Sequence, residues 1–235
     1  MNNVYVNLKN QAIVGQRVFD LDFDLAKLVE VQKQIVTKYE PVEDLMFENL
    51  GSKGFIMMFD KYILHCIEEV AEVRDAIVRG KQAKLRDEEI VDILLYLGSM
   101  NAILDYNMKR YQLPTQDKIE IVGVSPFNHF TQEARGFLQR IVTVVPVTID
   151  MKLIEVAQQL MEQRQLFPQR KWHKESSEDS EIQFKFKLRD MYAKNCEAIK
   201  IVLGLLCEIA DCNPVYLNSL ICEKQKLVLE LPMPE

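Results

Sequence analysis

The chain has 235 residues, enough for one domain with a sizeable core or at most two small ones. Apolar residues make up 48% and charged residues 27%, an ordinary balance for a globular protein. Eight Gly and eight Pro fall well short of the roughly 12% of average usage, which favours long uninterrupted helices. With 29 basic against 35 acidic residues, the net charge of −6 gives no electrostatic footprint for a nucleic-acid backbone or an anionic membrane.

The five cysteines (Cys66, Cys196, Cys207, Cys212, Cys222) form no CxxC pair, and four sit in helix-like apolar patterns where free Cys acts as a small hydrophobe. The start MNNVYVNLKN has no apolar h-region, and no apolar run approaches the ~18 residues that span a bilayer. The expected compartment is the reduced cytoplasm.

Residues 1–20 alternate weakly, as a short strand or an irregular arm. The first helix is expected from about Asp22 to Tyr39, with Leu25, Leu28, Val29, Gln32, Ile35, Val36 and Tyr39 on one face. Asp22 or Asp24 can cap it, and Pro41 ends it. A second helix follows Ser52 and runs to about Arg79 over a stripe of Ile56, Phe59, Ile63, Ile67, Val70, Val73 and Ile77. Gly80 then stands where a helix end wants a left-handed residue. A third helix, about Lys84 to Tyr111, contains IVDILLYL, apolar on nearly every side and so buried.

Residues 112–148 break the rhythm with Pro114, Gly123, Pro126 and Pro146. They read as an insertion or connector, with a helical segment from Ser125 to about Ile141. Helix returns at about Asp150–Leu166, a polar loop spans 167–181, and helices follow at about Ile182–Asp211 and Pro214–Glu230. Asn213–Pro214 supplies an N-cap with Pro at the first helical position. The whole reads as a single all-α domain, a helical bundle; the carboxylates and resemblance set out below add the expectation of a four-helix metal-binding core.

The chemistry lies in the carboxylates of helices two and three. Glu68-Glu69-Val70-Ala71-Glu72 is EExxE; after sixteen intervening residues, Glu89-Ile90-Val91-Asp92 is ExxD. Residues three apart share a helix face, so each motif presents two carboxylates to one point. The intervening connector with Gly80 is long enough to set the helices antiparallel and bring Glu69, Glu72, Glu89 and Asp92 together. Four such groups repel and resist burial. Asp92, with Ile90-Val91 before it and five apolar residues after it, must be paired, protonated or metal-bound. Oxygen-only ligands select a hard cation, Mg²⁺ with Mn²⁺ as substitute. Such a cation suits phosphate-ester or phosphoanhydride chemistry. A ferritin-like di-iron site is disfavoured, because His65-Cys66-Ile67-Glu68 is the only approach to its motif and runs in reverse order. Zinc is disfavoured for want of a Cys/His cluster.

EExxE, this gap and ExxD resemble the metal-binding signature of the all-α NTP pyrophosphatase superfamily, which includes the MazG-like pyrophosphohydrolases and the dimeric dUTPases. LAKLVEVQKQI (25–35) is similar to the dUTPase opening helix, whose glutamine helps recognise the base; Gln32 is the matching position. The resemblance covers roughly residues 22–108. It implies Glu69, Glu72, Glu89 and Asp92 as Mg²⁺ ligands, with Glu68 beside them at the substrate. It also implies cleavage between the α and β phosphates of a nucleoside triphosphate, and a homodimer. Either Glu69 or Glu72 would take the proton of the attacking water. Two family features are absent: aromatic residues soon after the first acidic motif, and a late motif with Lys, Asn and Arg. The final helix has only Glu223-Lys224-Gln225-Lys226.

Cations for the phosphates are sought in Arg170, Lys171 and Lys174, with Trp172 between them to stack or to close a lid, and then in Lys224 and Lys226. Tyr62 and His65 fall near Glu69 and Glu72, and Asn101 and Asp105 are further polar candidates. The expected activity is Mg²⁺-dependent hydrolysis of dUTP or dCTP. Its rivals are a broad MazG-like house-cleaning NTPase and a helical interaction protein without catalysis.

Overall fold

The computed structural model describes residues 5–14, 16–40, 53–80, 83–124, 144–166, 177–209 and 213–231. In chain order these form β1 (Val6–Val14), β2 (Gln16–Asp24), α1 (Leu25–Tyr39), α2 (Lys53–Val78), α3 (Ala83–Arg110), β3 (Lys118–Val124), α4 (Val144–Gln165), α5 (Ser177–Ile209) and α6 (Pro214–Glu230). The helical bundle expected from the sequence is present. Helix α3 is its axis, packed on by α1, α2, α5 and α6, and α5 also lies against α4 and β3. The run IVDILLYL explains this placement: Ile90, Val91, Ile93, Leu94, Leu95 and Leu97 are all buried.

The helix signals read from the sequence operate as physics predicts. Asp24 caps α1 by accepting from Lys27 N at 2.9 Å, and the helix buries Leu25, Leu28, Val29, Gln32, Ile35 and Val36. Gly80 follows α2 with φ of +62°, a conformation only glycine adopts freely, which lets the chain return as α3. Asn213 caps α6 through Val215 N and Tyr216 N, with Pro214 in the first turn. On α2, Phe59, Ile63 and Val73 are buried as expected, whereas Ile67 is exposed and leaves the core stripe.

A three-stranded antiparallel sheet, ordered β1-β2-β3, supplements the helices. The weakly alternating arm is a hairpin whose second strand extends to Asp24, so α1 starts later than the periodicity suggests. Phe-Asp-Leu-Asp-Phe-Asp (19–24) alternates strictly; Leu21 and Phe23 are buried, and Asp22 faces Lys9, whose ammonium bridges it (2.7 Å) to Glu120 (2.8 Å). The segment 112–148 is more than a connector. Ile119 and Ile121 of β3 are buried, and the strand pairs with β2 from Val18↔Val124 to Asp24↔Lys118. Helix α4 begins at Val144, with Pro146 in its first turn where a missing N–H costs nothing. Helix α5 begins at Ser177, taking in the acidic end of the expected loop, where acidic residues suit a helix N-terminus. The helical segment expected at 125–141 lies outside the described residues.

The sheet matters to the site because it anchors α6. Asn218 Oδ1 accepts from the backbone N–H of Tyr5 (2.5 Å) and Val6 (3.0 Å), and its Nδ2 donates to Val6 O. The Tyr5 hydroxyl donates to Gln225 Oε1 at 2.6 Å. From the other side, Tyr216 Oη donates to Asp87 of α3 at 2.9 Å, and Arg86 holds the same carboxylate.

Candidate metal centre

Helices α2 and α3 run side by side after the Gly80 turn, and their acidic motifs meet. Carboxylate oxygens of Glu69, Glu89 and Asp92 all lie within 4.8 Å of one another, half-buried. Glu72 is exposed and stands outside this group of three, although its charge acts on all three members. Glu68 is exposed too and pairs with His65 Nδ1 at 2.9 Å.

Three ionised carboxylates at such separations would repel by roughly 3–4 kcal/mol per pair at an effective dielectric near 20. Two devices relieve this. Burial first, then the charges of Asp92, Glu72 and Glu89, push the Glu69 carboxyl up to about 8. Glu69 therefore keeps its proton at neutral pH and bonds to Glu89. Burial also raises Glu89 and Asp92, against the pull of Lys224. The second device is Lys224 itself: its ammonium contacts Asp92 Oδ2 at 2.5 Å. Burial opposes the charge on Lys224, but the bond to Asp92 and the charges of Asp92, Glu89 and Glu88 outweigh it and raise the group.

Aromatic side chains line one side. Tyr96, at i+4 from Asp92, is half-buried and stacks with the His65 ring at 5.1 Å and 15°. Tyr62 is buried against it, with ring centroids 6.3 Å apart. Burial, with the charges of Glu69 and Asp92, pushes the Tyr96 hydroxyl up to about 12. Sequence reasoning passed over Tyr96. The signal was its place at i+7 from Glu89 and i+4 from Asp92, on the same helix face.

Gln32 is not beside the carboxylates but enclosed between α1 and α3. Its Oε1 accepts from Ser99 Oγ at 2.9 Å, and its Nε2 has no partner. Gly98 makes the approach possible, since a Cβ there would lie 3.0 Å from both Gln32 Cγ and Leu28 Cδ2. Further along α3, Asn101 is fully buried, as is Asn195 of α5 opposite it. Asn195 Nδ2 donates to Leu97 O (2.9 Å) and Asn101 Oδ1 (3.3 Å), leaving Asn101 Nδ2 and Asn195 Oδ1 unpaired. Asp105 is nearly buried and pairs with Lys109 at 2.8 Å. Arg170, Lys171, Trp172 and Lys174 lie outside the described residues. Lys226 is exposed near Glu230.

The donor set fits a metal ion: three carboxylates from two helices, oxygen ligands only, open enough for exchange. No described helix is long and apolar enough to cross a membrane. No known protein family, curated protein or solved structure matches the chain.

Proposed function

We propose that this chain is a Mg²⁺-dependent nucleoside triphosphate pyrophosphohydrolase of the all-α NTP pyrophosphatase type, acting on a pyrimidine deoxynucleotide such as dUTP or dCTP. The observation that carries the reading is the convergence of Glu69, Glu89 and Asp92, drawn from EExxE and ExxD on adjacent helices. These three would hold the metal, with Glu72 at the rim as a fourth carboxylate. Bound there, Mg²⁺ would neutralise phosphate charge and acidify a coordinated water. Glu69 or Glu72 would accept the proton of that water. Lys224 supplies fixed positive charge beside the phosphates, and Tyr96 with His65 forms an aromatic wall.

The pyrimidine preference is carried by the resemblance at Gln32, whose Nε2 has no partner in the fold. Gln32 Nε2 and Asn101 Nδ2 offer two unused donors, and Asn195 Oδ1 offers one unused acceptor. A buried polar atom left unpaired costs about 1–3 kcal/mol, which a ligand that pairs it recovers.

The broader house-cleaning reading is favoured by one observation. The Lys224-containing stretch Glu223-Lys224-Gln225-Lys226 of the final helix lacks the Asn and Arg of the dUTPase motif. Homodimerisation is supported by exposed Met57 and Leu64 on α2 and Met151, Ile154 and Met161 on α4. These two helices are tied together by Arg74–Asp150 and Arg164–Asp60. The deciding experiment incubates the protein with each common dNTP and NTP in Mg²⁺ and assays monophosphate and pyrophosphate, with Asp92→Asn as control. Selective turnover of dUTP or dCTP supports the first reading and turnover of many nucleotides the second. No turnover leaves a metal-binding helical scaffold.

A further inference from the structure

Lys224 reaches the carboxylates from α6, a helix that belongs to neither acidic motif. The lysine and Asp92 side chains are only 20% and 21% exposed, so this ion pair is partly shielded from water. Helix α6 is itself held in place. Tyr216 bonds Asp87, Asn218 grips the backbone of Tyr5 and Val6, and Gln225, the next residue after Lys224, accepts from Tyr5. A divalent cation ligated by Asp92 would meet an ammonium already in contact with that carboxylate. The two positive charges repel strongly at such range. With the helix pinned, the repulsion is relieved by the side chain, whose flexible four-carbon stem can swing away.

We propose that Lys224 is a tethered counterion of the metal site, which a divalent cation displaces from Asp92 on binding. The proposal rests on the metal reading above and adds a regulatory step to it. In the metal-free protein the ammonium offsets part of the carboxylate repulsion. In the loaded protein it is released beside the metal, as a positive charge available to an anionic ligand. Metal binding is thereby made to precede the exposure of a phosphate-attracting group.

The test uses Mn²⁺ alone with the full chain, its affinity read by electron paramagnetic resonance. Lys224→Met removes the competitor, so Mn²⁺ should bind about tenfold more tightly than in the wild type. Equal or weaker binding in the variant overturns the exchange while leaving the metal site standing. Absence of binding in both proteins overturns the metal reading and the exchange together. Should Lys224→Met fail to fold, acylation of the wild type by acetic anhydride gives the same decision by mass spectrometry. Saturating Mn²⁺ should raise modification of Lys224 several-fold relative to Lys226, which is 74% exposed. An unchanged ratio overturns the proposal.

Discussion

Helix α3 carries two polar regions that face opposite problems. Near its start, Glu89 and Asp92 join Glu69 in a half-buried, charged group that a proton and the Lys224 ammonium keep tolerable. From Gly98 onward, Ser99 and Asn101 of α3 meet Gln32 of α1 and Asn195 of α5, all neutral, enclosed and only partly paired. Charge that must ionise stays where water and cations can reach it. Neutral amides can be buried deeply, because leaving one hydrogen bond unmade costs far less than stranding a charge. The first region could hold a cation, whereas the second ties α3 to α1 and α5.

The largest expected effect breaks the charged region. Asp92→Asn removes the carboxylate that belongs to both the acidic triad and the Lys224 pair. It should lower nucleotide turnover on the order of 10²-fold or more. The melting temperature should hold or rise, as repulsion falls. Full activity in this variant would sink the proposed metal site.

A second test titrates the site. Mg²⁺ at about a hundred times its dissociation constant should stabilise the fold by about 2.7 kcal/mol. For a chain of this length that is roughly 5–10 °C in melting temperature. Asp92→Asn should lose most of the shift, whereas Gln32→Leu should keep it. No shift at saturating metal would show that the carboxylates are not a preformed site.

The pH response follows from Glu69. Its folded value of about 8 lies above the unfolded value near 4.5, so the folded state binds the extra proton between them. The stability this supplies is complete below about 4.5 and declines as pH rises through 8 in chelator. Mg²⁺ binds the deprotonated carboxylate, so its affinity should rise over the same window. Melting curves from pH 5 to 9, with EDTA and with Mg²⁺, should therefore diverge. Parallel curves would contradict this account.

Smaller effects sharpen the neutral region. Gly98→Ala places a methyl group 3.0 Å from Gln32 Cγ and Leu28 Cδ2, and should cost about 1–3 kcal/mol in denaturant unfolding. Gln32→Leu removes one unpaired amide and one partner of Ser99, so stability should change by less than about 1 kcal/mol. Discrimination between pyrimidine and purine nucleotides should nevertheless fall. Unaltered discrimination would detach Gln32 from base recognition.

Local periodicity made much of this legible. The i, i+3 spacing of Glu89 with Asp92 and the EExxE motif pointed to the acidic group, although only Glu69 of the Glu69–Glu72 pair joins it, and Gly80 marked the turn that brings the motifs together. The sheet was harder to read. The alternation in 19–24 and in Lys118–Val124 is clear, but a strand needs its partners, and these two are about a hundred residues apart. Tyr96 was in plain view on the Asp92 face, yet inside an almost wholly apolar run.

The sequence by itself determined the helices, their caps and the carboxylates that meet, because those depend on neighbours within a turn or across one short connection. It also placed Gln32 on the buried face of α1. Only the tertiary structure decided that Glu72 stays at the rim, that Gln32 packs against Gly98 away from the acids, and that Lys224 closes on Asp92 from 132 residues away. Those outcomes turn on how α6 is held between the hairpin and Asp87, and contacts of that range leave no periodic trace along the chain.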